Sequence, residues 1–289
     1  MFIKKLLGWR QCDFASYKMA AQRYGYSAES APDYIEFMLD CGATFNFIAY
    51  YHGGEIVAVA CIDNGWLVND FKNNNKSIVG LPLPVSGIVL PMKRGTLCCV
   101  PFKSRCISGD YPHVLNITQK FSKRLEAVAK KISDFSKKTQ QTRRREIKKF
   151  QQAGGDFIDI ATLSADTLLD SYDALLKKRW GQGIANLELN RQFFRRFQHC
   201  FYGDVAMLNG EIVGIQLLLK TESVRGIFVD FINIGYDVDN DYPLGTMLMW
   251  RNIERVAELG DGVKYSYGFM SGEYKKRWCT PQLLSRVIF

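Results

Sequence analysis

From Gly226 to Phe269 the chain runs apolar strand, turn-rich loop, helix and second strand, and any fold must accommodate that succession. The first strand spans Ile227 to Ile234, and the loop from Gly235 to Leu244 is rich in Asp, Asn, Pro and Gly. It opens at Pro243-Leu244-Gly245-Thr246 onto a helix expected over Thr246 to Leu259, followed by a strand from Lys264 to Phe269. A helix N-terminus offers free backbone N–H groups and the positive end of the helix dipole, which suit an anion such as a pyrophosphate. A Gly there lets a phosphate approach the backbone. Leu244, Gly245 and Thr246 are therefore candidate cofactor-binding residues.

Charge is the second constraint. The formal charge is +9, and all of the excess lies between Lys120 and Lys149, where twelve Lys or Arg residues meet three acidic ones. Ile117, Phe121, Leu125, Val128, Ile132 and Phe135 recur at intervals of three and four, which predicts one apolar helical stripe with Lys on the other face. A second basic stretch, with Arg143-Arg144-Arg145, ends at Gly154-Gly155, a helix stop. Three successive Arg residues repel one another unless an anion is near, so phosphates or acidic lipid head groups are the expected partners of Arg143, Arg144 and Arg145. No helix-turn-helix, zinc-finger or RNP-like pattern accompanies the charge, which leaves nucleic-acid regulation the weakest reading.

The flanking segments repeat a plan. Helices over Asp13 to Tyr24 and from a Ser30 cap through Pro32 to Leu39 precede strands Phe45 to Tyr51 and Ile56 to Ile62. Helices over Leu168 to Arg179 and Leu189 to Cys200 precede strands Val205 to Leu208 and Ile212 to Leu219. Both hairpins turn at a Gly-Glu pair, so a duplicated αα-ββ unit is expected, with a cleft between two lobes. Short strands are expected between Leu81 and Val100. The expected division is 1–116, a basic helical linker at 117–153, and 154–289. No stretch of 18 apolar residues exists, no signal-like segment opens the chain, and the eight Cys residues lack zinc-ligand spacing, so a cytoplasmic location and mostly structural cysteines are expected.

Asn209-Gly210-Glu211-Ile212-Val213, Asp230 to Asp237, Pro243 to Thr246 and Tyr274-Lys275-Lys276-Arg277-Trp278 together resemble the FemAB-like branch of the GNAT acyltransferases. Ser136-Lys137-Lys138-Thr139, Arg143-Arg144-Arg145-Glu146 and Lys177-Lys178-Arg179-Trp180-Gly181 are similar to that branch too. Within it the chain most resembles the enterobacterial family of macrophage-inducible virulence proteins linked to antimicrobial-peptide resistance. Coverage is good from about residue 135 to 280.

The resemblance implies an α+β fold of tandem GNAT-like lobes, the second complete and the first reduced. It implies a donor, acyl-CoA or aminoacyl-tRNA, no metal, and work at the cytoplasmic face of the inner membrane on an envelope component. Lys275 corresponds to the substrate-contacting lysine of the branch. Arg277 and Tyr274 beside it are candidate substrate- or anion-binding groups. Asp230, a carboxylate within an apolar strand, and Tyr236, where a strand ends, are candidate catalytic acid–base residues. The phosphate loop of ordinary GNAT enzymes is reduced here to Tyr242 through Thr246. The alternative is a non-catalytic lobe that binds a membrane surface or serves in regulation.

Overall fold

A computed structural model describes residues 8–111, 113–116 and 124–284. The first lobe begins with β1 (Trp9–Cys12), α1 (Phe14–Tyr24) and α2 (Pro32–Asp40), followed by β2 (Asn46–His52), β3 (Glu55–Asp63) and β4 (Trp66–Leu67). The four strands form one antiparallel sheet in the order β1-β2-β3-β4. Asp13 caps α1 by accepting from the Ser16 amide at 2.8 Å. Ser30 does not cap α2. Ala31 holds that position, Pro32 follows in the first turn, and the Ser30 hydroxyl is drawn to the Val89 carbonyl. Between Leu81 and Val100 only β5 (Cys98–Cys99) is a strand, paired with β6 (Val114–Leu115). Pro82, Pro84 and Pro91 cannot donate to a ladder, so the rest of that run makes isolated bridges such as Ile88 to Ile107.

The second lobe is built on β7 (Leu125–Ala129), α3 (Lys137–Gln152), β8 (Gly155–Asp159), α4 (Ala165–Trp180), α5 (Leu187–Arg196), β9 (Phe201–Tyr202), β10 (Asp204–Leu208) and β11 (Glu211–Ser223). It continues through β12 (Gly226–Tyr236), α6 (Leu244–Ala257), β13 (Lys264–Phe269), α7 (Glu273–Trp278) and β14 (Cys279–Leu283). Its sheet runs β14-β7-β13-β12-β11-β10-β8, with β9 beside β11. Within this sheet, among the described residues, only β12 and β13 pair in parallel. Helix α6 crosses between them.

This corrects the helix expected from Ile117 to Phe135. Residues 117–123 lie outside the described residues, and Leu125 to Ala129 form a strand inserted between β13 and β14. The spacing of Leu125, Val128, Ile132 and Phe135 is helical, but the open slot in the sheet overrides it. Val128 lies opposite both Ser266 and Thr280, while Ile132 and Phe135 pack on the α6 side, with Phe135 between Trp250 and Trp278. The basic helix itself is α3, and Ala153 ends it just before Gly154. The second helix expected up to Cys200 stops at Arg196, and a separate tight turn covers Gln198–Cys200.

The α+β class and the plan of two lobes hold: the first carries a four-stranded sheet and the second an eight-stranded one. Helix pairs precede hairpins in both. The two turns match as well: Gly53-Gly54 and Asn209-Gly210 both have positive φ, the geometry of tight two-residue hairpins. Alternation along β11 sorts its faces. Ile215, Leu217 and Leu219 join the core under α4 and α5, whereas Gln216 and Leu218 face α6. The first lobe packs on the α4–α5 face, where Tyr34 and Phe37 meet Phe193 and Phe197 at centroid distances of 4.5 to 5.6 Å. Of the eight cysteines, Cys61, Cys98, Cys106 and Cys279 are buried and all eight are free thiols.

Candidate functional site

The one parallel pair of the second sheet is also where that sheet opens. β12 and β13 are in register only at Phe228–Lys264, Val229–Tyr265 and Asp230–Ser266. Beyond that point β12 continues to Tyr236 and β13 to Phe269 without pairing, leaving a wedge whose walls are two strand edges. Unpaired strand edges carry backbone donors and acceptors that need partners. Near the vertex the Phe231 and Tyr267 rings stack, with centroids 5.1 Å apart.

Two cations act on the wedge walls. The Lys275 ammonium is buried and donates to the carbonyls of Tyr267 (2.6 Å) and Phe269 (2.7 Å) on β13. Burial pushes its pKa below the usual lysine value. The geometry follows from Gly268, whose φ of +75° breaks the regular run of β13. A side chain there would also sit 3.0 Å from the Val85 carbonyl oxygen, so only Gly fits. On the opposite wall, Arg179 at the end of α4 donates to the Ile234 carbonyl of β12. Its guanidinium lies 4.3 Å from the centroids of both Trp180 and Tyr236, a stacking that fixes its orientation.

Tyr236 and α6 meet here. A Cβ on Gly245 would fall 2.9 Å from the Tyr236 ring, so Gly245 allows the ring to lie against the helix start. At that start the Leu244 amide donates to Tyr242, and those of Thr246 and Met247 to Pro243. The Gly245 amide has no hydrogen-bond partner among the described residues, and Gly245 is half-exposed. The Leu244 side chain is buried in the core with Phe150, and Thr246 is half-buried, so of the three loop candidates Gly245 alone offers a backbone donor. Tyr274 is half-exposed, burial raises its pKa, and the Arg179 charge works against that rise. The structure thus brings Tyr236, Gly245, Tyr274 and Lys275 around the wedge and adds Arg179 and Trp180. Trp180 is 57% exposed, and a Trp beside a helix-ending Gly was the available sequence signal for both.

The other candidates lie elsewhere. Asp230 stands at the vertex but turns toward the first lobe, into a buried cluster with Glu29, Ser86, Glu126 and Lys264. Glu29 accepts from the Ser27 and Ser86 hydroxyls, and Glu126 takes the Lys264 ammonium at 2.7 Å. The Asp230 Oδ2 atom has no hydrogen-bond partner among the described residues. Burial, then Glu29, pushes the Asp230 carboxyl well above its usual range, and burial raises Glu29 too. Arg277 is exposed on α7. Arg143 is tied to Glu146 at 2.7 Å on the packed side of α3, whereas Arg144 and Arg145 are exposed. Lys137, Lys138, Arg144, Arg145, Lys148 and Lys149 occupy one exposed arc of that helix. Among the described residues no group of His, Cys, Asp or Glu is arranged to hold a metal ion, and no helix is long and apolar enough to cross a membrane.

Solved structures similar to this chain have low identity to it. The structure of L-PGS from Bacillus licheniformis is similar over 90% of this chain and 78% of that one, at 12% identity and a TM-score of 0.46. A tandem GNAT protein from the clavulanic acid biosynthesis pathway is similar over 95% of both chains, at 11% identity and a TM-score of 0.45. The C-terminal domain of a putative lysylphosphatidylglycerol synthetase from Agrobacterium fabrum is similar over 55% of this chain, at 14% identity and a TM-score of 0.34, and the match spans about half (48%) of its length. No curated protein matches the sequence. The family model described as Mig-14 matches residues 23–287.

Proposed function

The chain belongs to the Mig-14 family, and from that premise we propose that it is an acyl or aminoacyl transferase acting on an envelope component at the inner face of the membrane. The observation that carries the reading is the wedge between β12 and β13. An activated acyl donor laid along two strand edges gains backbone hydrogen bonds on both sides, and its reacting carbonyl is then held against fixed dipoles. The Gly245 amide and the stacked Arg179 guanidinium suit the phosphate of acyl-CoA or aminoacyl-tRNA. Lys275 holds the β13 wall in shape. Tyr236, at the mouth, is the group placed to pass a proton to the leaving atom.

The reaction is an acyl transfer. An acceptor amine or hydroxyl attacks the thioester or ester carbonyl, the donor C–S or C–O bond breaks, and the acceptor's proton leaves with the thiol or hydroxyl. The exposed arc of α3 supplies the membrane contact, since six cations on one helix face are drawn to anionic head groups. A contribution to antimicrobial-peptide resistance follows if the acylated component lowers the negative charge of the envelope.

A thermal-shift panel of acetyl-CoA, longer acyl-CoAs and aminoacyl-tRNA tests the reading. One donor class raises the melting temperature of the protein by several degrees, and Arg179→Met removes that rise. Anionic vesicles sediment the protein at low salt and release it at high salt. Vesicle binding without stabilisation by any donor would instead support the non-catalytic membrane-binding reading, which the start of α6 favours, since Gly245 alone there leaves an amide without a partner among the described residues.

A further inference from the structure

We infer that a second site, separate from the wedge, binds a phosphate-headed amphiphile. At the opposite end of the sheet, where β12 and β13 begin and α6 ends, a cleft of about 1230 Å³ lies between the lobes. It is larger than most small-ligand pockets, which run to roughly 1,000 Å³. Its apolar lining includes Met92 of the first lobe, Ile227 and Phe228 of β12, and Ile253 and Val256 of α6.

The cations are the informative part. Six Lys or Arg side chains line this cleft against three Asp. The acids are already engaged: Asp261 pairs with Lys131 at 3.4 Å, Asp134 takes the Lys131 amide, and Asp110 takes the Ser108 hydroxyl. Lys264 is paired with Glu126. Arg225 donates to the carbonyls of Tyr24 and Met92 and lies over the Tyr111 ring, while Lys130 donates to the carbonyls of Lys276 and Arg277. Their charges are held in place by carbonyls, and neither pairs with a carboxylate among the described residues. Lys93 and Arg94 are exposed at the rim and make no ion pair among the described residues.

A cleft with low-dielectric walls focuses the field of such charges and favours an anion inside it. The apolar lining selects an anion that brings a hydrocarbon arm. Two cellular sources share this chemistry, an anionic phospholipid and a long-chain acyl-CoA.

Titration calorimetry of the full chain separates the cases. Dihexanoyl-phosphatidylglycerol, used as a monomer, binds at least tenfold more tightly than dihexanoyl-phosphatidylcholine or glycerol phosphate. A hexanoyl-CoA arm, run on the Arg179→Met protein so that the wedge does not contribute, names the source by which of the two binds more tightly. Lys93→Glu/Arg94→Glu weakens binding tenfold or more, and Ala257→Trp, at an exposed residue lining the cleft, blocks it. Arg179→Met leaves the phosphatidylglycerol binding unchanged, so this site and the wedge fail or stand separately. Equal binding of the phosphatidylcholine or of glycerol phosphate, or full affinity in both variants, would overturn the proposal.

Discussion

Lys275→Met lowers the melting temperature by about 5 °C and removes donor binding at the wedge. The substitution keeps the length of the side chain and leaves the carbonyls of Tyr267 and Phe269 without the donor they now share. Losing two charge-assisted bonds to buried carbonyls costs roughly 2–3 kcal/mol after the relief of burying an ammonium, and for a chain of this size ~2 °C of melting temperature accompanies each kcal/mol. The second effect is local. Without the ammonium the bent end of β13 at Gly268 is free to straighten toward β12 and close the wedge. Calorimetric melting with and without donor reads both. An unchanged melting temperature would show that the two carbonyls find other partners.

Asp230→Asn raises stability at pH 8 and leaves it nearly unchanged near pH 4. The carboxyl of Asp230 is buried, faces Glu29 and Glu126, and has one oxygen without a partner. Its folded pKa lies above the unfolded one. Below the ordinary carboxylate range both states hold the proton and the group's contribution is complete; as pH rises the unfolded chain ionises first, near pH ~4, and stability is lost until the folded pKa is passed. Asn mimics the protonated acid and escapes that loss. The melting temperature of the variant is therefore higher than that of the parent by several degrees at pH 8, and the gap narrows as pH falls. A lower melting temperature at pH 8 would mean that Asp230 is ionised and held by Lys264, which faces it across the cluster.

The second lobe was legible because its signals are local. Strand, loop, helix and strand from Gly226 to Phe269 need only periodicity and turn residues, and the observed bounds differ by two residues at most. Lys275 and Gly245 came from residue type in a recognisable order. Leu125 to Ala129 was misread because two Ala, a Val and a Leu fit a helix as well as a strand, and only the slot between β13 and β14 decides. Arg179 was missed as a site residue for a related reason. It sits in a basic run at a helix end, where a solvated side chain is the usual outcome, and what makes it different is the Ile234 carbonyl 55 positions away. Asp230 drew notice as a carboxylate in an apolar strand, and its oddity is real, but two of the groups that explain it, Glu29 and Ser86, come from the first lobe. Alternation alone does not say which lobe a strand face will meet.

The wedge is the centre of the account, and amide hydrogen exchange tests it most directly. With a stabilising donor bound, exchange should slow at Phe231 to Tyr236 on β12, at Tyr267 to Phe269 on β13 and at Gly245, while the first-lobe sheet is unaffected. Protection confined to the cleft around Lys93 and Arg94, or spread evenly over both lobes, would contradict a donor site between β12 and β13.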